Sequence, residues 1–250
     1  MHPFLQSDGP IAFAHRGGAL EAEENTAEAF ARAEALGYTH IETDVHLSRD
    51  GVVVVHHDND AGRMFGDGRL IRDMDWVEIA TLSTAGGAAM PRLDAVLADF
   101  PGLRFNIELK APGVAGPLAE VFRRAKALDR VCVGAFDPAH TAEIRGILGE
   151  RLCWSPAHVG VARVWARGWG LPLAAGGFDA LQVPMRFGAL AVVTPRFVRG
   201  AHRLGCHVHV WTVDDGAEMD RLLDMGVDGI MTDRPTLLKE VMQRRGDWPA

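Results

Sequence analysis

Apolar and polar positions along this 250-residue chain fall into two alternating rhythms. Short runs, apolar at every second position or throughout, read as strands; longer segments with apolar residues three or four apart read as amphipathic helices. Strands are expected at IAFAH (11–15), HIETDV (40–45), RFNIEL (104–109), VCVGAF (131–136), RLCWS (151–155), ALQVP (180–184), HVHVWTV (207–213) and GIMTD (229–233). Helices are expected at 24–37, 92–101, 116–129, 137–150, 194–205 and 215–226. Several open on Asp, Asn or Thr, whose short side chains accept from a free first-turn amide. Several stop at Gly, which tolerates the left-handed backbone of a helix end. Eight strands, most followed by a helix, predict an α/β chain folded as a (β/α)8 TIM barrel, one domain over 1–250. A doubly wound open sheet would need a GxGxxG turn after the first strand, and the sequence there is AFAHRGGALE.

One more run, GVVVVHHD (51–58), is strand-like but follows HIETDV too closely for a parallel crossover, which needs about a dozen residues. SRDG (48–51) therefore reads as a hairpin turn. If the two-residue loop is Arg49-Asp50, Glu42 lies opposite His57; if it is Asp50-Gly51, Asp44 does. Either register sets His57 beside an acidic residue and turns His56 to the other face. Residues 58–91, rich in Gly, Asp and Met, read as an excursion over the barrel mouth with one short helix near MDWVEIATL.

Composition narrows the possible functions. With 48% hydrophobic residues and 28 glycines, the chain can bury one large core. Lys and Arg number 26 against 33 Asp and Glu, a net charge of −7. That balance argues against a nucleic-acid partner, and any anionic substrate needs a local cationic trap. Cys132, Cys153 and Cys206 are odd in number and far apart, as expected of core residues in a reducing compartment. No apolar stretch approaches the roughly 20 residues of a membrane span. The N-terminus lacks a signal-peptide pattern, so the expected location is the cytoplasm.

In a barrel of this kind, chemistry gathers at the C-terminal strand ends. Those ends carry His15-Arg16, Glu42, Asp44, Glu108, Lys110, Phe136-Asp137, Trp211 and Asp233. Glu42 and Asp44 are two apart on one strand and so share a face. With Glu108 from the next barrel strand they offer hard oxygen ligands suited to one divalent ion, Mg²⁺ or Ca²⁺, and no soft ligand of the structural-zinc type. The competing reading pairs these carboxylates with Arg or Lys as a structural network. His15 and His57 have the chemistry of a general acid and base. His207 and His209 sit deeper in their strand and read as packing. Arg16 and Lys110 supply a fork and a point charge for phosphate. Glu24 and Asn25 open the first helix, with Asn25 as its cap and an orienter of the ligands behind it. Phe136 and Trp211 either wall an alcohol-binding cleft or belong to the core.

These fragments, in this order, resemble the glycerophosphodiester phosphodiesterases, barrels of the phosphatidylinositol-phospholipase-C-like type. HRG stands at His15-Arg16-Gly17, and the PENT motif appears as Glu23-Glu24-Asn25-Thr26 with Glu in place of Pro. ETDV carries Glu42 and Asp44, VVHHD ends on His57-Asp58, and NIELK supplies Glu108 and Lys110. FDP (136–138), WTVDD and GVDGIMTDRP match the C-terminal half. The resemblance implies a metal held by Glu42, Asp44 and Glu108, proton exchange by His15 and His57, and phosphate bound by Arg16 and Lys110. The implied substrate is a small phosphodiester, cleaved to glycerol 3-phosphate and an alcohol. A lysophospholipase D acting on lipid headgroups is the alternative; it calls for an apolar patch at the mouth, for which Met64, Phe65 and Trp76 stand ready. The headgroup, the choice between water and the substrate's 2-hydroxyl as nucleophile, and the oligomeric state stay open.

Overall fold

The computed structural model describes residues 1–171 and 173–248. Its main sheet holds β1 (Ile11–His15), β2 (His40–Leu47), β3 (Val53–Val55), β4 (Arg104–Leu109), β5 (Val131–Gly134), β6 (Cys153–Trp154), β7 (Ala180–Pro184), β8 (His207–Trp211) and β9 (Gly229–Thr232). Eight of these are parallel, in the order β6-β5-β4-β2-β1-β9-β8-β7, and β3 pairs antiparallel with β2. The two end strands meet without a regular ladder among the described residues: Asp179 N donates to Trp154 O at 3.1 Å and Gln182 N to Ser155 Oγ at 3.1 Å. The result is the expected (β/α)8 barrel, nearly closed. Four strands stop one or two residues short of their sequence-based ends, because the chain there already turns into the loops of the mouth.

Helices α1 (Ala27–Ala35), α2 (Leu93–Asp99), α3 (Ala115–Arg124), α4 (Pro138–Leu148), α5 (His158–Gly168), α6 (Pro195–His202), α7 (Gly216–Asp224) and α8 (Pro235–Arg245) return the chain between strands or close it. The sequence pattern missed α5 and α8. In α5 three valines dilute the helical signal, and its Ala157 cap position provides no side-chain acceptor.

Strand alternation divides the buried apolar residues into two layers. Ile41, Val45, Phe105, Ile107, Val131 and Val133 face outward and pack with Phe30, Leu118, Phe122 and Ile144 of the helices. Phe13, Cys132, Cys153, Ala180 and Met231 face the barrel interior, closed at its base by Phe4 and Leu5. The same parity that sends Phe13 inward sends His15, Glu42, Asp44 and Glu108 inward at the opposite end.

The hairpin differs from both expected registers. Val45 lies opposite Val55 and Leu47 opposite Val53, so the loop is the three residues Arg49-Asp50-Gly51, with Gly51 at φ 84°. Ser48 holds this wider loop open by accepting from Val52 N at 2.8 Å and donating to Asp50 at 2.6 Å. A turn followed by a left-handed glycine is the usual three-residue solution. One extra loop residue shifts the pairing by one: His56, not His57, faces Asp44, its amide donating to Asp44 O at 3.0 Å.

The excursion is also more structured than expected. It holds two short helical turns, Gly62–Phe65 and Trp76–Ile79, and a two-stranded ribbon of Asp60–Ala61 with Asp67–Leu70. Val54, Ala61, Ile71, Met74, Ile79 and Met90 form a core of its own.

Candidate active site

β1 ends at His15, and the chain leaves it through three residues with positive φ: Arg16 (52°), Gly17 (84°) and Gly18 (106°). A Cβ on Gly17 would lie 2.7 Å from that of Ala29, so both conformation and space demand glycine there. The tight turn brings the Arg16 amide to the Glu42 carbonyl at 2.8 Å and to Glu42 Oε2 at 3.3 Å. Asn25, at φ 57°, accepts from Thr43 Oγ1 at 2.7 Å and donates to Asp44 Oδ2 at 3.0 Å. It is therefore an orienter but not the helix cap. Thr26 caps α1, accepting from Ala29 N at 3.1 Å, because a residue in the left-handed region cannot take the extended backbone of an N-cap.

Glu42, Asp44 and Glu108 each present an oxygen within 4.8 Å of the others. Burial and the neighbouring Asp44 charge push the Glu42 carboxyl well above the usual carboxylate range, against the pull of His15. Burial also opposes ionisation of Asp44, but Lys110 and Arg16 outweigh it and hold the group low. Lys110 Nζ lies 3.2 Å from Asp44 and 2.9 Å from Glu108, and Arg16 Nε lies 3.3 Å from Asp44. The trio is thus flanked by two cations. Among the described residues, Glu42 meets neither Lys nor Arg side chain within 4.0 Å, only His15 at 3.5 Å. An inward-facing oxygen set with one carboxylate left uncompensated fits a hard divalent ion.

His15 Nδ1 donates to Asp233 Oδ1 at 2.6 Å. Burial disfavours its charged form, yet the charges of Glu42 and Asp233 and the hydrogen bond to Asp233 raise its pKa overall. His57 reaches the site from just beyond β3 rather than by strand pairing. Its Nδ1 donates to Asp58 Oδ1 at 2.7 Å. Although its backbone pairs with Asp44, the His56 ring turns to the excursion and bonds through Nε2 to Asp60 O at 2.8 Å. His209 is packing, fully buried with its ring 4.8 Å from that of Phe13.

One cavity of about 380 Å³ is lined by His15, Arg16, Glu42, His57, Glu108 and Lys110. Its other wall is apolar and includes Phe136, Trp165, Phe187, Leu190, Val192 and Trp211. Phe136 and Trp211 thus both face the cavity, ring to edge at 5.9 Å. The apolar patch does not come from the excursion: Phe65 and Trp76 pack against the excursion's own core. It comes from α5 and the turn Arg186–Ala191, whose Phe187 and Leu190 are exposed.

Sequence reasoning assigned no role to three neighbours of the site: Asp233, Asp58 and Arg63. The first two lay in plain view beside a strand end and a candidate histidine. For Arg63 the sequence held no signal.

Polar groups of this kind at the C-terminal mouth of a (β/α)8 barrel mark the class: a barrel enzyme. The profile of the Glycerophosphoryl diester phosphodiesterase family matches residues 15–237, and the chain belongs to that family. It is 37% identical over 254 residues to "Probable glycerophosphodiester phosphodiesterase 2" of Mycobacterium tuberculosis, covering 98% of this chain and 95% of that one. It is 25% identical to Lysophospholipase D GDPD1 of Rattus norvegicus, with 91% and 84% covered. A crystal structure of glycerophosphodiester phosphodiesterase from Agrobacterium tumefaciens matches with a TM-score of 0.79 at 25% identity, covering 94% and 99%.

Proposed function

We propose that the protein hydrolyses glycerophosphodiesters to glycerol 3-phosphate and an alcohol, using two histidines and one divalent ion. The observation that carries this reading is the shared cavity, in which His15, His57, Glu42, Glu108, Arg16 and Lys110 face one space. A Mg²⁺ or Ca²⁺ ion held by Glu42, Asp44 and Glu108 would supply Lewis-acid polarisation of a phosphoryl oxygen. Arg16 and Lys110 bind the phosphate and offset its charge. Each histidine is held at Nδ1 by a carboxylate, Asp233 or Asp58, which leaves Nε2 to exchange a proton. One takes the proton of the attacking oxygen, from water or from the substrate's 2-hydroxyl, and the other protonates the leaving alkoxide. In the second case the two rings then exchange roles, and water opens the cyclic phosphate to glycerol 3-phosphate.

The apolar wall supports a second reading on the same chemistry, a lysophospholipase D whose substrate lays its acyl chain against Phe136, Trp165, Phe187 and Leu190. One experiment addresses both. Glycerophosphocholine and lysophosphatidylcholine are offered to protein stripped with chelator and then resupplied with Mg²⁺ or Ca²⁺, and the phosphorylated product is measured. Release of glycerol 3-phosphate that vanishes on chelation and returns with metal is expected. Faster cleavage of lysophosphatidylcholine favours the second reading, and activity unaffected by chelation defeats the metal in both.

A further inference from the structure

Arg63 lies on the excursion, in the helical turn Gly62–Phe65, and reaches back toward the barrel. Its Nη2 donates to Glu24 Oε1 at 2.6 Å and its Nε to Asp58 Oδ2 at 2.6 Å. The same Glu24 oxygen accepts from Arg16 Nη1 at 3.0 Å, and the other Asp58 oxygen accepts from His57 Nδ1 at 2.7 Å. One guanidinium therefore joins the side chain that faces phosphate to the ring that exchanges a proton. The turn carrying it is anchored: Gly62 N donates to Asp60 Oδ1 at 2.8 Å, and the adjoining Ala61 is fully buried.

We propose that Arg63 is a positioning residue that sets Arg16 and His57 together, through Glu24 and Asp58. Without it Glu24 and Asp58 lose a charge-assisted partner each, and both are free to rotate away from the groups they aim. Only a planar fork spans two carboxylates in this way, so a lysine restores one arm and not both. The inference rests on the phosphodiesterase reading above.

Arg69 provides the control. It stands on the same excursion, is 49% exposed against 48% for Arg63, and pairs with Asp67 and Glu78, away from the cavity. The test measures kcat and KM for glycerophosphocholine, thermal stability, and the Kd of glycerol 3-phosphate by calorimetry, in Arg63→Ala, Arg63→Lys and Arg69→Ala. Expected for Arg63→Ala is a kcat lower by about ten- to a hundredfold from the freed His57, with higher KM and weaker glycerol 3-phosphate binding from the freed Arg16. Arg63→Lys should recover part of this, and Arg69→Ala should match the parent protein in all but stability. Unchanged kcat and Kd in Arg63→Ala would overturn the proposal and leave the reaction standing. Equal losses in Arg69→Ala would assign the effect to the fold of the excursion and overturn it too. A parent protein that neither turns over nor binds overturns the reaction, and the positioning role of Arg63 with it.

Discussion

Glu42 is almost fully buried and rises far above the ordinary carboxylate range, because burial and Asp44 both oppose its charge. Such a group is an expensive element of a core and a natural ligand once a cation is present. His15 stands beside it and is anchored from the far side by Asp233, whose own amide donates to Asp214 Oδ1 at 2.7 Å. Replacing His15 or His57 with Ala should lower turnover at least about a hundredfold while metal affinity, measured by calorimetry, stays close to the parent value. Asp233→Asn should cost less than His15→Ala, since the ring remains and only its aim and charge balance change. Parent-like turnover in either histidine variant would remove that residue from the mechanism.

At the scale of elements, the barrel loops do two kinds of work. The β1–α1 turn must adopt positive φ to bring the Arg16 amide back to Glu42, so its glycines are tied to the geometry of the cavity. The β8–α7 loop bonds Asp233 through Asp214 and ends on a plain helix cap: Asp215 caps α7, accepting from the amides of Ala217 and Glu218 at 3.0 Å. Asp215→Ala should therefore cost about 1 kcal/mol of stability, as removal of an N-cap usually does, with kcat unchanged. Thermal melts and steady-state kinetics on the same preparation check both halves. The hairpin loop belongs to this scale as well. Its third residue sets His56 rather than His57 opposite Asp44, and His57 reaches the cavity from beyond β3.

At the scale of the whole molecule, the interior of the barrel carries neutral imidazoles. Burial lowers the pKa of His40 to about 4, and His209, likewise buried, falls well below 6.5. An unfolded chain takes up these protons near pH 6.5, whereas the folded chain refuses them until far lower pH. The contribution of these imidazoles to stability is therefore complete above pH 6.5 and is lost progressively as pH falls toward 4, while Glu42 and His15, both raised, act in the opposite direction. The gap at His40 is worth about 3 kcal/mol. Denaturant midpoints measured at pH 7 and pH 5 in the parent and in His209→Phe should differ in slope, the variant losing less stability on acidification. Identical slopes in the two proteins would contradict the burial argument.

Much of this protein was legible in its pattern alone. Side-chain alternation within one strand is a local property, so the eight barrel strands, the inward parity of Glu42, Asp44 and Glu108, and the position of His15 at a strand end all followed from the sequence. Partnership is not local. Asp233 meets His15 across 218 residues of chain, and Arg63 meets Glu24 across 39; only barrel closure and the folded excursion make them neighbours. The apolar wall likewise draws on segments far apart in sequence, and the hairpin register turned on a single loop residue that periodicity does not encode. The sequence determined which faces each segment would bury, because burial acts on one segment at a time. Tertiary structure decided which buried groups would touch.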